Sequence, residues 1–408
     1  MLYFLPDFHF NLNKIVSVSM KRLRVGVIYG GRSGEHEVSI ASAAAILTNL
    51  DPDRYELIPI CINKDGSWSL VDKPPSSISA AEIIEKSKSL SPSAGTQSGW
   101  SRSIHFLASP GESQLLTVQN QTNMGEENFR ATIDLHGLDV CFPVVHGPFG
   151  EDGTLQGLFE LANVAYVGSG VLGSATSMDK AIAKSLFTAN ELPIVKHKTI
   201  ISTEWENDRV NLVKEIENSF RYPMFTKPAN LGSSVGISKA TDTDSLGKGI
   251  ELARRYDHKI IIEEAVVNAR EFECGVIGNE QPETSVVGEV IPTRDFYDYE
   301  AKYLDDSSKI MIPASLSAKQ IKQIQSMARD GFQTVNANGM ARVDFLMNPE
   351  TKDLYINEIN TIPGFTNISM FTKLWEKSGL KYSKLLDRLI ELALERHKLK
   401  QTRLDHLA

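Results

Sequence analysis

The chain has 408 residues, of which 41% are hydrophobic and 23% are charged, as in soluble globular proteins of two or three domains. Its net charge of −8 argues against nonspecific nucleic-acid binding, because no excess of basic residues offers a track for phosphates. The three cysteines are far apart and show no CxxC spacing, which excludes a zinc knuckle and favours a cytoplasmic protein without disulfides. No apolar run is long enough to span a membrane.

The first elements predict a sheet with parallel strands. Residues 1–19 make a poor signal peptide, and we interpret them as an extension that we expect to be disordered. A strand is predicted at Leu23–Tyr29, then a helix with Ser33 as a possible N-cap, then a strand at 55–63. This order places ligand sites at the carboxyl ends of the strands. Glu35, near the helix N-terminus, either binds a substrate ammonium group or caps the first turn.

Residues 73–130 are rich in Ser, Gln and Asn and have few apolar residues, which predicts a surface insertion with a short helix or hairpin. The strand pattern returns at 138–147 and is followed by a helix pattern at 153–163. Between them, three glycines and a proline force a tight loop that leaves His146 at its mouth. A histidine in this place is either structural or part of a ligand site.

A second unit begins near Ser169, with a predicted helix at 178–190 and strands at 222–229 and 259–267. Lys180 lies at the start of the helix. A lone lysine is usually a solvated surface charge, so a role in binding phosphate requires the fold to bring Lys180 next to a phosphate loop.

The segment from Lys227 to Lys239 is such a candidate loop. Gly232 and Gly236 let the backbone turn and approach a ligand closely, and the hydroxyls of Ser233 and Ser234 can bind phosphate oxygens. The pattern is not a Walker A motif. A plain hairpin turn is the alternative, and Lys227 at the base of the loop favours phosphate.

The third unit carries predicted strands at 271–278 and 285–291, a helix at 317–337 and a closing helix at 382–399. The segment Phe296–Lys309 combines aromatic and charged residues. It is either a lid over a polar ligand, with aromatic surface to exclude water, or an ordinary surface loop.

Residues 341–364 predict a hairpin with chemistry on one face. Residues two apart in a strand share a face. Arg342 therefore shares a face with Asp344 on the first strand, and Glu358 shares a face with Asn360 and Ile356 on the second. A loop of about five residues places Asp344 opposite Glu358 and Arg342 opposite Asn360. Two such close carboxylates need a cation between them, and hard oxygen ligands suit Mg²⁺. The alternative is an exposed hairpin with scattered charges.

Together these segments resemble the D-alanine–D-alanine ligases, members of the ATP-grasp superfamily. Seven motifs occur in family order over nearly the whole span from Arg24 to Leu394: GGRSGEHEVS, HGPFGEDGTLQG, YVGSGVLGSATSMDK, KPANLGSSVG, FYDYEAKY, ARVDF and INEINTIPGFTNISM. The resemblance implies an α/β fold, with an α+β C-terminal part, in three domains. The implied ranges are a 20–168 N-terminal domain, a 169–267 central domain, a 268–396 C-terminal domain with a lid at 292–309, and a 397–408 tail.

The resemblance also implies the reaction. Two D-alanines are joined through an acyl phosphate as ATP becomes ADP and phosphate, and the product enters peptidoglycan synthesis. ATP lies between the central and C-terminal domains and is held with two Mg²⁺ or Mn²⁺ ions. The implied setting is a cytoplasmic homodimer with no nucleic-acid or membrane partner.

The matching positions carry the family's residue roles. The implied catalytic residues are Glu35, Ser233, Tyr303, Arg342, Gly364 and Ser369. The implied contacts to the D-alanines are Glu35, His146, Arg342, Ser369 and Met370. The implied nucleotide contacts are Lys180, Lys227, Ser233, Ser234, Glu264, Ala265 (through its backbone), Val267, Glu271 and Lys302. The implied metal ligands are Asp344, Glu358 and Asn360.

Three alternatives stay open at this point. A D-alanine–D-lactate ligase shares the chemistry, although such relatives usually lack the tyrosine found here as Tyr303. Another ATP-grasp ligase would act on a different acid and amine. A nonenzymatic nucleotide-binding protein would keep the fold, and the presence of Arg342, Asp344, Glu358 and Asn360 argues against it.

Overall fold

The structure is a computed structural model, and it describes residues 21–72, 75, 101–111, 115–121, 130–291 and 309–405. The predictions for the 1–19 extension, for Lys302 and Tyr303 and for most of the lid segment lie outside these residues. The described chain forms three sheets, with eight, four and five strands. This mixed α/β architecture agrees with the fold class predicted from the sequence.

The first sheet contains the parallel strands that the sequence predicted. Its strands in chain order are β1 (Leu23–Gly30), β2 (Tyr55–Ile62), β3 (Trp68–Val71), β4 (Ser101–Phe106), β5 (Leu115–Gln121), β6 (Arg130–His136), β7 (Val140–Pro143) and β8 (Ala165–Tyr166). They lie in the order β6-β5-β4-β3-β2-β1-β7-β8. The pairs among β1, β2, β7 and β8 are parallel, and the others are antiparallel. The carboxyl ends of β1 and β7 therefore meet at one edge.

In the described part of 73–130, the structure contains a hairpin, which the sequence predicted as one alternative, but it belongs to the first sheet. β4 and β5 do form an antiparallel pair, but they extend the first sheet together with β3 and β6. Ile104 and Leu115 are buried in the same apolar cluster as Ile60 of β2. A few apolar residues at alternate positions were enough to recruit these strands to the sheet.

Ten helices are found among the described residues. In chain order they are α1 (His36–Asn49), α2 (Thr154–Leu161), α3 (Val171–Met178), α4 (Lys180–Ala189), α5 (Ser202–Asn207), α6 (Arg209–Ser219), α7 (Thr243–Ala253), α8 (Ala318–Thr334), α9 (Met370–Lys377) and α10 (Tyr382–Asp405). The prediction of Ser33 as the N-cap of α1 is wrong, because Glu35 occupies that position. The Ser33 hydroxyl instead donates to the backbone oxygen of His146 at 2.7 Å. It is thus used to join two loops.

The second and third sheets carry the remaining strands. These are β9 (His197–Ile201), β10 (Met224–Pro228), β11 (Ser238–Ala240), β12 (Lys259–Glu264), β13 (Arg270–Gly278), β14 (Glu283–Ile291), β15 (Lys309–Met311), β16 (Gly339–Met347) and β17 (Leu354–Asn360). The orders are β11-β10-β12-β9 and β15-β14-β13-β16-β17, and all of these pairs are antiparallel. The exact limits of the three domains stay a prediction.

The β16–β17 hairpin has the predicted register at the four predicted site residues. Asp344 pairs with Glu358, and Arg342 pairs with Asn360. The prediction that Ile356 shares a face with Glu358 is wrong, because the register shifts where Asn357 is an extra residue in β17. This bulge reverses the alternation, so Ile356 is buried in the core while Glu358 faces the opposite side.

Helix α10 joins the beginning of the chain to its end. Its apolar face, including Leu386 and Leu389, is buried in one cluster with Val25 and Val27 of β1. The hydroxyl of Tyr55 on β2 donates to Asp387 at 2.8 Å. The helix continues to Asp405, so most of the tail predicted at 397–408 is helical.

Candidate active site

A cleft lies where the three sheets approach one another, at the carboxyl ends of β1 and β7. It holds about 610 Å³ of space, part of which is open solvent. Eight of the predicted site residues line it: Glu35, His146, Lys180, Ser233, Arg342, Glu358, Asn360 and Gly364. Residues up to 329 positions apart in sequence, Glu35 and Gly364, are therefore brought together by the fold.

Glu35 lies against the glycine- and serine-rich loop of the second sheet. The Ser233 hydroxyl donates to a carboxylate oxygen of Glu35. Ser233 and Ser234 both adopt left-handed backbone angles, with φ of 51° and 58°, which serine rarely does. A Cβ on Gly147 would lie 3.1 Å from the other Glu35 oxygen, so only glycine leaves the carboxylate its full space. The serine-rich loop and the loop after β7 thus both lie close against Glu35.

His146 is held in one orientation at the floor of the cleft. It is buried, and its Nδ1 lies 3.0 Å from the backbone oxygen of Ile362. Because a carbonyl oxygen only accepts, Nδ1 carries the proton. Nε2 lies 3.4 Å from the Ser42 hydroxyl on α1. The histidine therefore joins the first sheet to the loop after β17, next to the cleft.

The two predicted phosphate lysines belong to different elements of the second unit. Lys180 is the first residue of α4, and its ammonium lies 3.4 Å from Glu358 and 2.7 Å from the backbone oxygen of Leu231. Lys227 on β10 is largely buried and pairs with Glu263 at 2.5 Å. The Glu358 carboxylate also helps to raise the pKa of Lys227. Both ammonium groups thus share the electrostatic environment of the hairpin carboxylate.

Arg342 is clamped between two carboxylates. It donates to Asp344 through Nε at 2.7 Å and through a terminal nitrogen at 2.6 Å. Its Nε also lies 3.0 Å from Glu273 on β13. Burial alone would lower the pKa of Arg342, but Asp344 and Glu273 raise it well above its usual value. The guanidinium is therefore a fixed positive charge at the end of the cleft.

The residues predicted to hold the nucleoside lie around the connection from β12 to β13. Glu264 ends β12 and accepts from the Arg221 backbone N–H at 3.3 Å, while Val267 is exposed. The N–H of Ala265 donates to the backbone oxygen of Pro223 at 3.0 Å. Glu271, at the start of β13, contributes to the raised pKa of Lys227 after Glu263 and Glu358, so this connection lies near Lys227.

Gly364 lines the cleft, whereas Ser369 and Met370, the next predicted site residues in the chain, do not line it directly. A Cβ on Gly364 would lie only 2.8 Å from the Ser369 hydroxyl, so the glycine allows this close approach. Ser369 precedes α9 without capping it through its side chain, and its hydroxyl lies 2.7 Å from that of Thr366. The Met370 side chain is buried against Val290 and Leu374, which leaves only its backbone for a ligand.

Comparison with known proteins identifies the family. Residues 24–169 match the model described as the D-ala D-ala ligase N-terminus, and residues 186–391 match that of the D-ala D-ala ligase C-terminus. The chain is 45% identical over 378 residues to the D-alanine--D-alanine ligase of Chloroherpeton thalassium, which covers 93% of this chain and 98% of that protein. The chain belongs to the D-alanine–D-alanine ligase family.

Solved structures agree with this assignment to the ligase family. The D-alanine-D-alanine ligase from Coxiella burnetii is 35% identical with a TM-score of 0.76, covering 94% of this chain and 97% of that one. The VanG D-Ala:D-Ser ligase from Enterococcus faecalis is 33% identical with a TM-score of 0.74, covering 91% and 100%. The three-sheet architecture is thus that of an ATP-grasp ligase. Within the described residues, no helix is long and apolar enough to cross a membrane.

Several buried charged residues of this ligase-family site were not found from the sequence. Glu151 lines the cleft, Glu273 pairs with the predicted Arg342, and Lys184 pairs with Glu263. The available signal was a charged residue inside an apolar strand or helix face. Such residues are rarely buried unless they are paired. Among the described residues, no three His, Cys, Asp or Glu side chains converge as a preformed metal site.

Glu151 gives a pH-dependent prediction. Its carboxyl oxygens accept from the backbone N–H groups of Gly147 at 2.6 Å and Ile362 at 3.3 Å, but burial and the neighbouring Glu35 raise its pKa to about 8. The folded protein therefore keeps a proton that the unfolded chain releases near pH 4.5. Consequently, this group makes the free energy of unfolding fall as the pH rises from about 4.5 to 8.

Urea unfolding of the wild type and Glu151→Gln at pH 5, 6, 7 and 8 measures this effect. We expect the stability of the wild type relative to Glu151→Gln to decrease steadily with pH, because glutamine does not titrate. Glu350→Gln, in the exposed turn of the hairpin, serves as a control and should show no such trend. A relative stability that is constant or increases with pH would contradict the raised pKa.

Proposed function

We propose that the protein joins two D-alanine molecules into D-alanyl-D-alanine, converts ATP to ADP and phosphate, and thereby supplies peptidoglycan synthesis. The observation that carries this proposal is the convergence on one cleft of Glu35, the lysine-flanked serine loop and the Arg342–Glu358 hairpin, in a chain of this family. An ammonium group, a triphosphate and a developing oxyanion each find an oppositely charged partner there.

The first half of the reaction is a phosphoryl transfer. Glu35 binds the ammonium of the first D-alanine, and His146 lies beside that substrate. Lys180, Lys227 and the serine loop hold the phosphates, while Glu264, Ala265, Val267 and Glu271 hold the adenosine. The D-alanine carboxylate attacks the γ-phosphate, and ADP leaves. Positioning and the lysine charges offset the repulsion between the two anions.

The second half is acyl transfer. The amine of the second D-alanine, whose carboxylate lies at Ser369 and the Met370 backbone, attacks the carbonyl of the acyl phosphate. Negative charge develops on the tetrahedral oxygen, toward which the Arg342 guanidinium and the Gly364 N–H donate. Phosphate then leaves. Ser233 links the phosphate loop to Glu35, so both substrates are gripped by one connected set of groups.

The hairpin also suits magnesium. Asp344, Glu358 and Asn360 each have a side-chain oxygen of the kind that binds divalent cations, and Asp344 and Glu358 are paired across the strands. These three residues would hold Mg²⁺ or Mn²⁺, two ions in the family's pattern. The ions would offset charge on the phosphate oxygens and polarise the γ-phosphate. Arg342 also contacts the Asp344 carboxylate, and Lys180 contacts that of Glu358.

A coupled ADP-release assay tests the substrate assignment. With ATP and Mg²⁺, we expect D-alanine alone to support turnover, with L-alanine inactive and the dipeptide detected by mass. D-serine and D-lactate are supplied together with D-alanine as second substrates. The VanG neighbour makes D-serine the alternative that this panel must exclude. A mixed product that exceeds D-alanyl-D-alanine would replace the proposal by that alternative.

The homodimer and the cytoplasmic location stay predictions. The wide spacing of the three cysteines in the sequence is the reason for predicting a reducing compartment. Sedimentation of the purified protein and cell fractionation measure the two properties directly.

A further inference from the structure

Behind the phosphate loop, two lysines share one buried carboxylate. Lys184 on α4 is 1% exposed, and Glu263 on β12 is 2% exposed. One oxygen of Glu263 lies 2.8 Å from the Lys184 ammonium, and the other lies 2.5 Å from that of Lys227. Burying a charge costs free energy unless an opposite charge compensates it. A buried Glu263 needs only one lysine as its partner, so the presence of a second lysine requires a reason.

The charge balance of this trio supplies the reason. Glu263 and Lys227 alone would form a neutral pair, and Lys227 would then offer little net attraction to a triphosphate. Burial lowers the pKa of Lys184, and the contact with Glu263 at 2.8 Å opposes this and favours the charged ammonium. With that charge, Lys184 adds a second positive group, so the trio as a whole carries +1. Burial raises the pKa of Glu263, but Lys184 and Lys227 lower it by more than burial raises it, so the carboxylate stays ionised. The same carboxylate raises the pKa of Lys227, which keeps its proton.

Lys184 also reaches the hairpin. Its ammonium lies 3.5 Å from the backbone oxygen of Asn357, the extra residue of the bulge that turns Glu358 toward the cleft. Nearby, the Ile356 N–H donates to the backbone oxygen of Pro193 at 2.9 Å. Lys184 therefore contacts both β12, which carries Glu263, and β17, which carries Glu358. These two strands lie on opposite sides of the proposed nucleotide site.

We propose that Lys184 is a positioning residue for nucleotide binding, which offsets the charge of Glu263 so that Lys227 presents a net positive charge to the triphosphate. This inference rests on the proposed use of ATP. It assigns a role to a residue that does not itself touch the nucleotide. The cluster charge, counted over the three side chains, should then set the affinity for ATP.

A charge cycle tests the inference by titrating ATP with Mg²⁺ into the protein without D-alanine. Lys184→Met lowers the cluster charge to 0, and Glu263→Gln raises it to +2. The double variant Lys184→Met/Glu263→Gln returns it to +1. We expect the Kd for ATP to rise about tenfold in Lys184→Met and to recover most of this loss in the double variant. The KM for D-alanine should stay unchanged while the KM for ATP follows the Kd.

The surface pair Lys198–Glu215, at 2.6 Å in the same unit, provides the matched control. Lys198→Met, Glu215→Gln and their double variant should leave the Kd for ATP unchanged. An unchanged Kd in folded Lys184→Met overturns the inference, as does a double variant that binds ATP no better than Lys184→Met. If the wild type itself binds no ATP, the proposed function fails instead.

If Lys184→Met does not fold, the comparison of Glu263→Gln with the double variant isolates the charge of Lys184. Both carry glutamine at 263, so neither leaves a buried carboxylate unpaired. We expect tighter ATP binding in Glu263→Gln, with the difference shrinking as salt increases. Equal affinities in this pair would refute the inference.

Discussion

Replacing Glu358 by glutamine is expected to reduce turnover of ATP with D-alanine by about 100-fold or more. Losing even the outer partners of metal ligands typically costs about 10–100-fold. Glu358 is paired across the strands with Asp344 and lies 3.4 Å from Lys180, so its charge acts on both the proposed metal and a phosphate lysine. Glutamine keeps the shape and one oxygen donor but removes that charge.

The measurement is ADP release at saturating D-alanine over a range of Mg²⁺ concentrations. We expect a lower kcat and a raised requirement for Mg²⁺ in Glu358→Gln. Glu350→Gln, in the turn of the same hairpin, controls for the change of residue type. Near-normal turnover in Glu358→Gln would contradict the metal assignment, whereas low turnover with an unchanged Mg²⁺ requirement would limit Glu358 to orienting Lys180.

Replacing Arg342 by lysine is expected to reduce kcat by about 10²–10³, the usual cost of losing one oxyanion donor. Lysine keeps the positive charge that Asp344 and Glu273 require, so the two carboxylates are not left uncompensated. It cannot reproduce the planar fork that fixes the direction of donation. The loss should therefore fall on kcat, with the KM for ATP nearly unchanged.

Arg270→Lys is the matched control for this experiment. Arg270 lies in β13 of the same sheet and donates to Glu289 through two nitrogens, at 2.7 and 2.8 Å, but it does not line the cleft. Its replacement should change stability without a comparable loss of kcat. Equal losses in the two variants would mean that Arg342 acts only by supporting the sheet.

The hairpin shows how far a sequence pattern can be taken. The pairing of Asp344 with Glu358 follows from alternation and loop length, and it is confirmed. The bulge at Asn357 is not visible in the pattern, because two compensating shifts leave the site residues paired: the six residues 348–353 separate the strands, and one extra residue restores the register. Only Ile356, which changes face, reveals the difference.

The buried partners of the site were beyond the pattern for a different reason. Glu263 and Lys184 lie in separate elements. Each requires the other as a charged partner only because packing removes both side chains from water. Ser33 failed as an N-cap because α1 begins only at His36, and the Ser33 hydroxyl donates to the His146 carbonyl, 113 residues away. Local rules describe a residue's own element, whereas these roles depend on elements that are distant in sequence.

The sharing of one apolar cluster by β1 and α10 has a consequence during synthesis of the protein. The strand that leaves the ribosome early cannot finish burying Val25 and Val27 until a helix about 360 residues later has emerged. At about 5–20 residues per second, this delay lasts tens of seconds. Part of the apolar face of the nascent first sheet is therefore exposed for that time, and chaperone binding would protect it from aggregation.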